Sequence, residues 1–393
     1  MGARSLRGEV AVVGIGETTY YKHSQSPDPE FVLALKAILA AAQDAGIDPK
    51  SIDGFAPYSN DRNEPSRIAA ALGIPDLKFS NMQWGGGGGG GAGAVANAAA
   101  AIHAGLADCV VVYRALAQGQ FARFGQGNVG SNVSGEVAFN APYGVMSPAQ
   151  KYGMRNQRFM HEHGVARSAL RAVSMASYHH AQSNPRAVMY ARPLTEEKYD
   201  ESRWICEPYR LFDCCLENDG AAALILMPAE RAAEMRNKPA YLLGAAIGSE
   251  YRNGAPCHNG PHYATSSFTT VAPRLWQMSG LGPNDVDVVQ SYENFSGAVI
   301  MSVVEHGFCA ADAVNDFFQL ENLIAPTGKM PLNTSGGNLA ECYMHGLELQ
   351  VEAVRQIRGD STSQVPDANV SLVMSGPMVT PTSNCVFGTA DTL

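Results

Sequence analysis

The 393-residue sequence is short of charge, and that shortage limits its function classes. Charged residues make up 17% of the chain, below the ~25% that is typical of soluble domains. The low fraction indicates that another subunit covers part of the surface. The formal net charge of −9 argues against a general nucleic-acid binder, because such proteins carry basic patches.

The sequence also lacks a membrane-spanning stretch, since it has no run of about 18 apolar residues. Its first twenty residues carry no secretory signal. The alanine-rich tract 92–105 is too short to span a bilayer, and it predicts a helix buried in protein. We therefore expect a cytoplasmic protein with no integral membrane segment.

The eight cysteines include no CxxC pair, which excludes a zinc ribbon or a thioredoxin motif in this chain. A chain of this length does not need disulfides, so reduced thiols are expected. Residues 161–163 (HEH) and 257–262 (CHNGPH) contain metal-ligand residue types. Their spacings match no standard site, so no metal site is predicted.

Two glycine motifs do not complete a nucleotide-binding pattern. Gly14-Ile15-Gly16 follows a strand, but the third glycine of a dinucleotide fingerprint would fall at Thr19. Seven of the forty glycines form the run Gly85–Gly91, and no Lys-Ser/Thr pair of a P-loop follows them. Neither motif predicts a nucleotide cofactor.

Apolar runs alternate with helical patterns along the chain. Residues 31–46 have helical periodicity and end at a glycine, a common C-cap. Residues 9–14 predict a short apolar strand that ends in glycine. Three continuous apolar runs are typical of strands buried on both faces, at residues 109–113, 221–227 and 370–374. The alternation predicts an α/β fold with buried sheets.

The sequence contains an internal repeat. Residues 46–53 (GIDPKSID) are similar to residues 280–287 (GLGPNDVD). An asparagine and a glycine cluster follow in each half, at Asn81 with Gly85–Gly91 and at Asn333 with Gly336–Gly337. This order predicts a duplicated α/β unit.

The predicted halves are residues 1–240 and 241–393. Residues 115–208 have no counterpart in the second half. They are rich in aromatic, arginine and histidine residues, and we expect them to form an inserted loop domain over the site.

The glycine run followed by a helix is the most specific motif. Glycines let backbone amides approach a ligand, and a helix N-terminus adds partial positive charge. Such an arrangement stabilises a developing oxyanion. The alternative is close packing of this helix against a second copy of the chain in a dimer.

Six blocks together resemble the thiolase superfamily, in particular its sterol-carrier-protein-thiolase and lipid-transfer-protein branch. They are residues 10–22, 94–112, 213–226, 285–297, 333–346 and 370–377. The resemblance covers nearly the whole chain. It implies the thiolase fold, in which two repeated βαβαβαββ halves form five αβαβα layers with an inserted loop domain.

The departures from the thiolase pattern decide the expected chemistry. The position of the nucleophilic cysteine falls near Gly88, and that of the second cysteine at Met374 or Ser375. Tyr343 replaces the histidine of the family's GHP motif, and Tyr292 replaces its other catalytic His or Asn. The side chains needed for covalent Claisen chemistry are therefore absent.

With these departures the chain resembles the thiolase-fold retro-aldolases of actinobacterial steroid side-chain degradation. The implied reaction cleaves a steroid 17-hydroxy-20-carboxyl-CoA thioester to a 17-keto steroid of the androstenedione type and propionyl-CoA. We assign Tyr292 as the base and Tyr343 as the proton donor, with the reverse order as the alternative.

The same resemblance implies an oxyanion site and the absence of a cofactor. The thioester oxyanion would be stabilised by backbone amides of the glycine run, at Gly87, Gly88 and Gly89, and by that of Gly376, after the predicted strand at residues 370–374. No metal or redox cofactor is expected, because the thioester itself accepts the electron pair.

Related aldolases imply two kinds of protein partner. One is a second copy in a homodimer, and the other is a small zinc-ribbon and OB-fold protein that completes a two-plus-two heterotetramer. Two other functions stay open on the sequence. The chain is either a non-catalytic subunit that binds acyl-CoA or lipid, or a residual acyl-CoA thiolase that uses Cys342.

Overall fold

A computed structural model of the chain describes residues 5–59, 61–84, 87–121, 133–253 and 260–393. The strands in these ranges are β1 (Val10–Glu17), β2 (Tyr21–Lys22), β3 (Gly54–Phe55), β4 (Phe79–Ser80), β5 (Val110–Ala117), β6 (Trp204–Cys206), β7 (Tyr209–Arg210), β8 (Asn218–Pro228), β9 (Ala240–Gly248), β10 (Val288–Ser291), β11 (Val370–Ser375) and β12 (Thr382–Gly388). The helices are α1 (Glu30–Ala45), α2 (Pro65–Leu72), α3 (Gly90–His103), α4 (Pro148–His163), α5 (Arg167–Ala181), α6 (Glu196–Asp200), α7 (Ala229–Ala232), α8 (Ala272–Ser279), α9 (Ser296–Glu305), α10 (Val314–Phe317), α11 (Leu320–Leu323) and α12 (Leu347–Arg358).

Ten of the described strands form one sheet that runs through both halves of the chain, nine of them in a single path. The order is β10-β11-β12-β9-β1-β8-β5-β3-β4, and β2 pairs with β8. The halves meet where β1 pairs with β9 through only two residue pairs, Ala11 with Tyr241 and Val12 with Ala240. Strands β6 and β7 form a separate hairpin.

Strands β1, β5, β8 and β11 are buried on both faces, as the apolar runs predict for the last three. In β1, Val10 and Val12 pack into the cluster that contains α3 and α12, while Ala11 and Val13 pack into the cluster that contains α1. Successive side chains of a strand point to opposite faces, so such a strand needs helices on both sides.

The helices complete five layers. Helix α1 packs against β1, β5 and β8 of the first half, and α8 packs against β9 and β12 of the second. Helices α3 and α12 contact strands of both halves and therefore lie between them. The predicted α/β thiolase-type architecture is confirmed.

The internal repeat has the same local structure in both halves. Helix α1 ends at Gly46 and α8 at Gly280, with φ angles of 74° and 67° that favour glycine. A short 3-10 turn follows each glycine, at Pro49–Ser51 and Pro283–Asp285, and leads into a strand. The domain boundary at residue 240 stays a prediction.

The glycines of Gly14-Ile15-Gly16 serve packing rather than nucleotide binding. A Cβ atom on Gly14 would lie 2.3 Å from the Ala41 carbonyl oxygen, and one on Gly16 would lie 2.2 Å from that of Ala37. Strand β1 therefore touches the backbone of α1, which only glycine allows.

The predicted inserted region contains α4, α5, α6 and the strand β6 in its described part. Helix α4 begins at a capping box in which Ser147 and Gln150 satisfy each other's backbone amides. Helix α5 packs against α9 and against a π-helical turn, Gly337–Glu341. This turn leads directly to Tyr343. In the described part of the chain, no helix is both long and apolar enough to cross a bilayer.

Candidate active site

The glycine run forms the start of the central helix α3. Gly87–Gly89 make a 3-10 turn that continues into α3 at Gly90, while Gly85 and Gly86 lie outside the described residues. The Ser375 hydroxyl accepts a hydrogen bond from the Ala92 N–H at 3.2 Å. Ser383 accepts one from the Gly93 N–H at 2.8 Å. The positive end of α3 is thus directed at the ends of β11 and β12.

Gly376 packs its backbone against this turn. Its φ angle is 62°, and a Cβ atom there would lie 2.0 Å from the Gly89 nitrogen and 2.7 Å from the Gly88 carbonyl carbon. No side chain fits at that distance. The structure therefore brings together all four glycines that the sequence predicts to bind an oxyanion, and their role as donors stays a prediction.

The two predicted catalytic tyrosines meet beside the turn. Tyr292 follows β10, and Tyr343 follows the π-helical turn, 51 residues later. Their hydroxyl oxygens are 2.6 Å apart, within hydrogen-bond distance. The side chains are 1% and 8% exposed, so the pair lies in the protein interior.

Tyr292 also fills the space in front of Gly88. A Cβ atom on Gly88 would lie 2.1 Å from Cζ and 2.2 Å from Cε2 of the Tyr292 ring. It would lie 2.6 Å from the Tyr292 hydroxyl oxygen. The phenol ring therefore occupies the space, next to the N-terminus of α3, that the side chain of a thiolase cysteine at this position would need.

Burial keeps both phenols protonated. It is the largest cause that raises the pKa of Tyr292 and that of Tyr343 well above 10. The hydrogen bond between them raises the pKa of Tyr292 further and lowers that of Tyr343. Either hydroxyl group can be the donor in this hydrogen bond, so a proton can pass between the two phenols in either direction.

Two residues contact Tyr343 from this part of the chain: Cys215, just before β8, and Asn218, the first residue of β8. The Asn218 side-chain oxygen accepts a hydrogen bond from the Tyr343 N–H at 2.6 Å. Cys215 hydrogen-bonds the Tyr343 side chain and is partly exposed. The resemblance to the thiolase block at residues 213–226 aligns Asn218 with a serine of the family, but it does not predict the hydrogen bond to Tyr343. No sequence signal identifies Cys215.

Cys342 is poorly suited to act as a nucleophile. It is fully buried, and burial followed by the charges of Glu348 and Glu341 raises its pKa well above 9. The reactive form of cysteine is the thiolate. A thiol in this environment stays protonated at neutral pH.

The predicted absence of a metal site is not tested by the structure. Among the described residues, no group of three or more His, Cys, Asp or Glu side chains is arranged to hold an ion. His161 and His163 are exposed at the end of α4. Cys257 and His258 lie outside the described residues.

Comparisons with known proteins agree with this geometry. Residues 251–389 match the family model "Thiolase C-terminal domain-like". The chain is 38% identical to a "steroid side-chain-cleaving aldolase" of Thermomonospora curvata, with 98% of each chain covered. It is 36% identical to the "17-hydroxy-3-oxo-4-pregnene-20-carboxyl-CoA lyase" of Mycobacterium tuberculosis, covering 98% of this chain and 100% of the relative. The chain belongs to the thiolase superfamily.

A solved structure supports the same placement. It is described as "Ltp2-ChsH2(DUF35) aldolase", and it has a TM-score of 0.91 and 36% sequence identity, covering 99% of this chain and 100% of that one. Within the thiolase superfamily this chain therefore lies in the branch of the steroid side-chain aldolases. By the motif resemblance, its two phenols stand at the positions of the family's GHP histidine and of its other His or Asn, and a glycine stands near the position of the nucleophilic cysteine.

Proposed function

We propose that this protein is a retro-aldolase that cleaves a steroid 17-hydroxy-20-carboxyl-CoA thioester to a 17-keto steroid and propionyl-CoA. The named activities of two relatives, each covered over nearly its full length, support the reaction class and the substrate. The single structural observation that carries the proposal is the hydrogen-bonded pair of phenols, Tyr292 and Tyr343, against the Gly88 turn.

The reaction moves one proton within the substrate. The electron pair of the cleaved carbon–carbon bond passes into the thioester as an enolate, and the hydroxyl oxygen becomes the ketone. The hydroxyl proton is taken up by one tyrosine, that tyrosine gives its own proton to the other, and the second tyrosine protonates the enolate carbon. The pair ends as it began, so neither phenol needs to be ionised in the resting enzyme.

One observation favours Tyr343 as the base and Tyr292 as the proton donor, the alternative order considered above. The Tyr292 hydroxyl lies beside Gly88, where the thioester end of the substrate would be bound. The sequence-based order, with Tyr292 as the base, stays a prediction that the experiments below test.

The glycine turn supplies the oxyanion stabilisation in this proposal. Backbone amides of Gly87, Gly88, Gly89 and Gly376 would donate to the thioester oxygen as it gains charge, aided by the N-terminus of α3. Loss of one such donor costs about 3–4 kcal/mol of transition-state stabilisation. The thioester accepts the electron pair, so the proposed mechanism uses no metal or redox cofactor.

The proposed assembly is cytoplasmic and contains two kinds of subunit. The solved relative is described with a DUF35 protein, and we propose that a small zinc-ribbon and OB-fold protein of that type binds a homodimer of this chain in a two-plus-two heterotetramer. The low charged fraction of 17% supports extensive subunit contacts. Large exposed apolar side chains also support them, with Trp84 77%, Tyr143 82% and Tyr251 75% exposed.

The alternatives fit the geometry less well. A non-catalytic lipid-binding subunit does not require two buried phenols within 2.6 Å of each other. A residual thiolase does not fit a Cys342 that is fully buried and has its pKa raised well above 9 by burial.

The decisive experiment incubates the purified protein, alone and with a DUF35 partner, with a 17-hydroxy steroid 20-carboxyl-CoA. We expect equal amounts of 17-keto steroid and propionyl-CoA. Tyr292→Phe and Tyr343→Phe should each lower the rate by about 10²–10⁴-fold, while the exposed control Tyr190→Phe retains it. Binding of the thioester without cleavage, with the partner present, would favour the non-catalytic subunit. Unchanged rates in both tyrosine variants would remove the proposed mechanism.

A further inference from the structure

A buried ion pair lies one side chain away from the phenol pair. Asp61, in the loop after β3, accepts a hydrogen bond from the Nη1 atom of Arg114 on β5 at 2.8 Å. Asp61 is 6% exposed and Arg114 3%. The desolvation cost of a buried ion pair can exceed its electrostatic attraction. We therefore ask which residues the Asp61–Arg114 pair positions.

Asp61 is itself held on several sides. One carboxylate oxygen also accepts from the Ala115 N–H at 3.2 Å. The other accepts from the backbone and side-chain nitrogens of Asn63, each at 2.8 Å. The carboxylate is thus fixed by its surroundings, and it orients the guanidinium of Arg114.

Arg114 in turn fixes the tautomer of His345. Its Nε atom lies 3.1 Å from the Nδ1 atom of that ring. A guanidinium can only donate, so Nδ1 is the acceptor and the ring carries its proton on Nε2. Burial, then the charges of Arg114 and Arg62, lower the pKa of His345 well below 6.5, so the ring is neutral at physiological pH.

The backbone conformation of His345 is also constrained by its surroundings. Its φ angle is 52°, in the left-handed region that non-glycine residues rarely adopt. The Tyr58 hydroxyl lies 3.1 Å from the Met344 carbonyl oxygen and 3.0 Å from that of His345, and it can donate to either. The surrounding structure therefore holds an unfavourable conformation in place, and such conformations concentrate at functional sites.

The ring so fixed packs against the catalytic pair. Its centroid is 5.0 Å from that of Tyr343, and the two rings are at 86°. This edge-to-face arrangement is a favoured geometry of aromatic pairs. The next residue, Gly346, lies against Tyr292, since a Cβ atom there would be 2.9 Å from the Tyr292 Cδ2 atom.

We propose that His345 is a positioning residue for the aldol cleavage. Held in one tautomer and one orientation by Arg114, which Asp61 fixes, it sets the plane of the Tyr343 ring so that the two phenol oxygens stay in hydrogen-bond contact. This inference rests on the proposed function, because it gives His345 its role through Tyr343.

The test compares the steady-state kinetics of variants of the full protein with its DUF35 partner. His345→Ala should lower kcat about 10–100-fold with little change in KM, because small misplacements of a catalytic group are costly. His345→Gln keeps an acceptor for Arg114 and should recover part of the loss. Arg114→Lys keeps the charge beside Asp61 but not the fixed Nε donor, and it should resemble His345→Ala in part.

A double-variant cycle separates positioning from general destabilisation. If His345 acts through Tyr343, His345→Ala should have almost no further effect in a Tyr343→Phe background. His306 is the matched control, because it is also a buried histidine with a lowered pKa, and its side chain contacts Asn384 and Phe268 instead of the phenols. His306→Ala should lower the melting temperature and leave kcat per folded enzyme unchanged.

Different results overturn the two proposals. A kcat of His345→Ala within twofold of wild type, with Tyr343→Phe strongly impaired, would overturn the positioning role alone. If the fold-losses in kcat of His345→Ala and Tyr343→Phe multiply in the double variant, the two residues act independently, and the positioning role is overturned in the same way. A fully active Tyr343→Phe would overturn the proposed function and this inference with it.

Discussion

The ring of Tyr292 occupies the space that any side chain at Gly88 would need, since a Cβ atom there would lie 2.1 Å from the Tyr292 Cζ atom. The missing cysteine and the additional tyrosine are therefore two parts of one structural change. The site could not keep a thiolase nucleophile at position 88 and hold this phenol at the same time. Glycine makes room for the tyrosine, and it also removes a thiol that the substrate could acylate.

Restoring the cysteine should therefore inactivate the protein without producing a thiolase. Gly88→Cys is expected to lower steroid cleavage at least ~100-fold, because displacing Tyr292 removes an acid–base group. Thiolysis of a 3-ketoacyl-CoA should not appear, since the histidines of the family are absent as well.

Chromatography of the CoA products measures both activities of Gly88→Cys. Gly282→Ala is the control, because a Cβ atom there meets only the Asp285 carboxylate, at 3.8 Å. Normal cleavage by Gly88→Cys, or a stable acyl adduct on the new thiol, would contradict the coupling between Gly88 and Tyr292.

The pH dependence of cleavage distinguishes a neutral phenol pair from an ionised base. Burial raises the pKa values of Tyr292 and Tyr343 well above 10, so both phenols stay protonated as the pH rises from 7 to 9. We expect kcat to be nearly constant over that range. A mechanism that needs a free tyrosinate would instead gain about tenfold per pH unit below its pKa. Such a rise in single-turnover rates would rule out the neutral relay.

Much of the fold follows from the sequence, because strong local signals agree with the tertiary structure. The helix predicted for residues 31–46 is α1 with its left-handed cap at Gly46, and the predicted strand at 370–374 is β11. Both signals are local: a 3.6-residue period and an apolar run between turns.

The geometry of the site is less accessible from the sequence. The contact between Gly88 and Tyr292 joins positions 204 residues apart, and no periodicity reports it. The roles of Asn218 and Arg114 also depend on which strands the fold places side by side, since β8 lies between β1 and β5. The two tyrosines were predictable only because a resemblance to thiolase motifs identified their positions.

Removing the thiol of Cys342 should leave aldol cleavage intact. The side chain is fully buried, and its pKa is raised well above 9 by burial. We expect Cys342→Ala to cleave the steroid thioester at a rate within about threefold of wild type, with some loss of stability from the small cavity. Intact-protein mass spectrometry after incubation with substrate should show no acyl adduct on the wild-type chain. An adduct that maps to Cys342 would revive the residual-thiolase alternative.

Glu293, the neighbour of Tyr292, should make stability fall between about pH 5 and pH 8. Burial raises its pKa from 4.5 to about 8, although Ser177 and the Leu339 N–H donate to one carboxylate oxygen at 2.9 and 3.1 Å. Above pH 4.5 the unfolded chain releases this proton while the folded chain retains it, so the free energy of unfolding decreases as the pH rises toward 8.

Glu293→Gln removes this titration, and the melting temperature of the variant should improve relative to wild type from pH 5 to pH 8. The exposed Glu321→Gln serves as the control, with a constant difference expected across the range. A constant difference for Glu293→Gln as well, measured by differential scanning calorimetry, would show that this carboxyl group is ionised in the folded protein throughout.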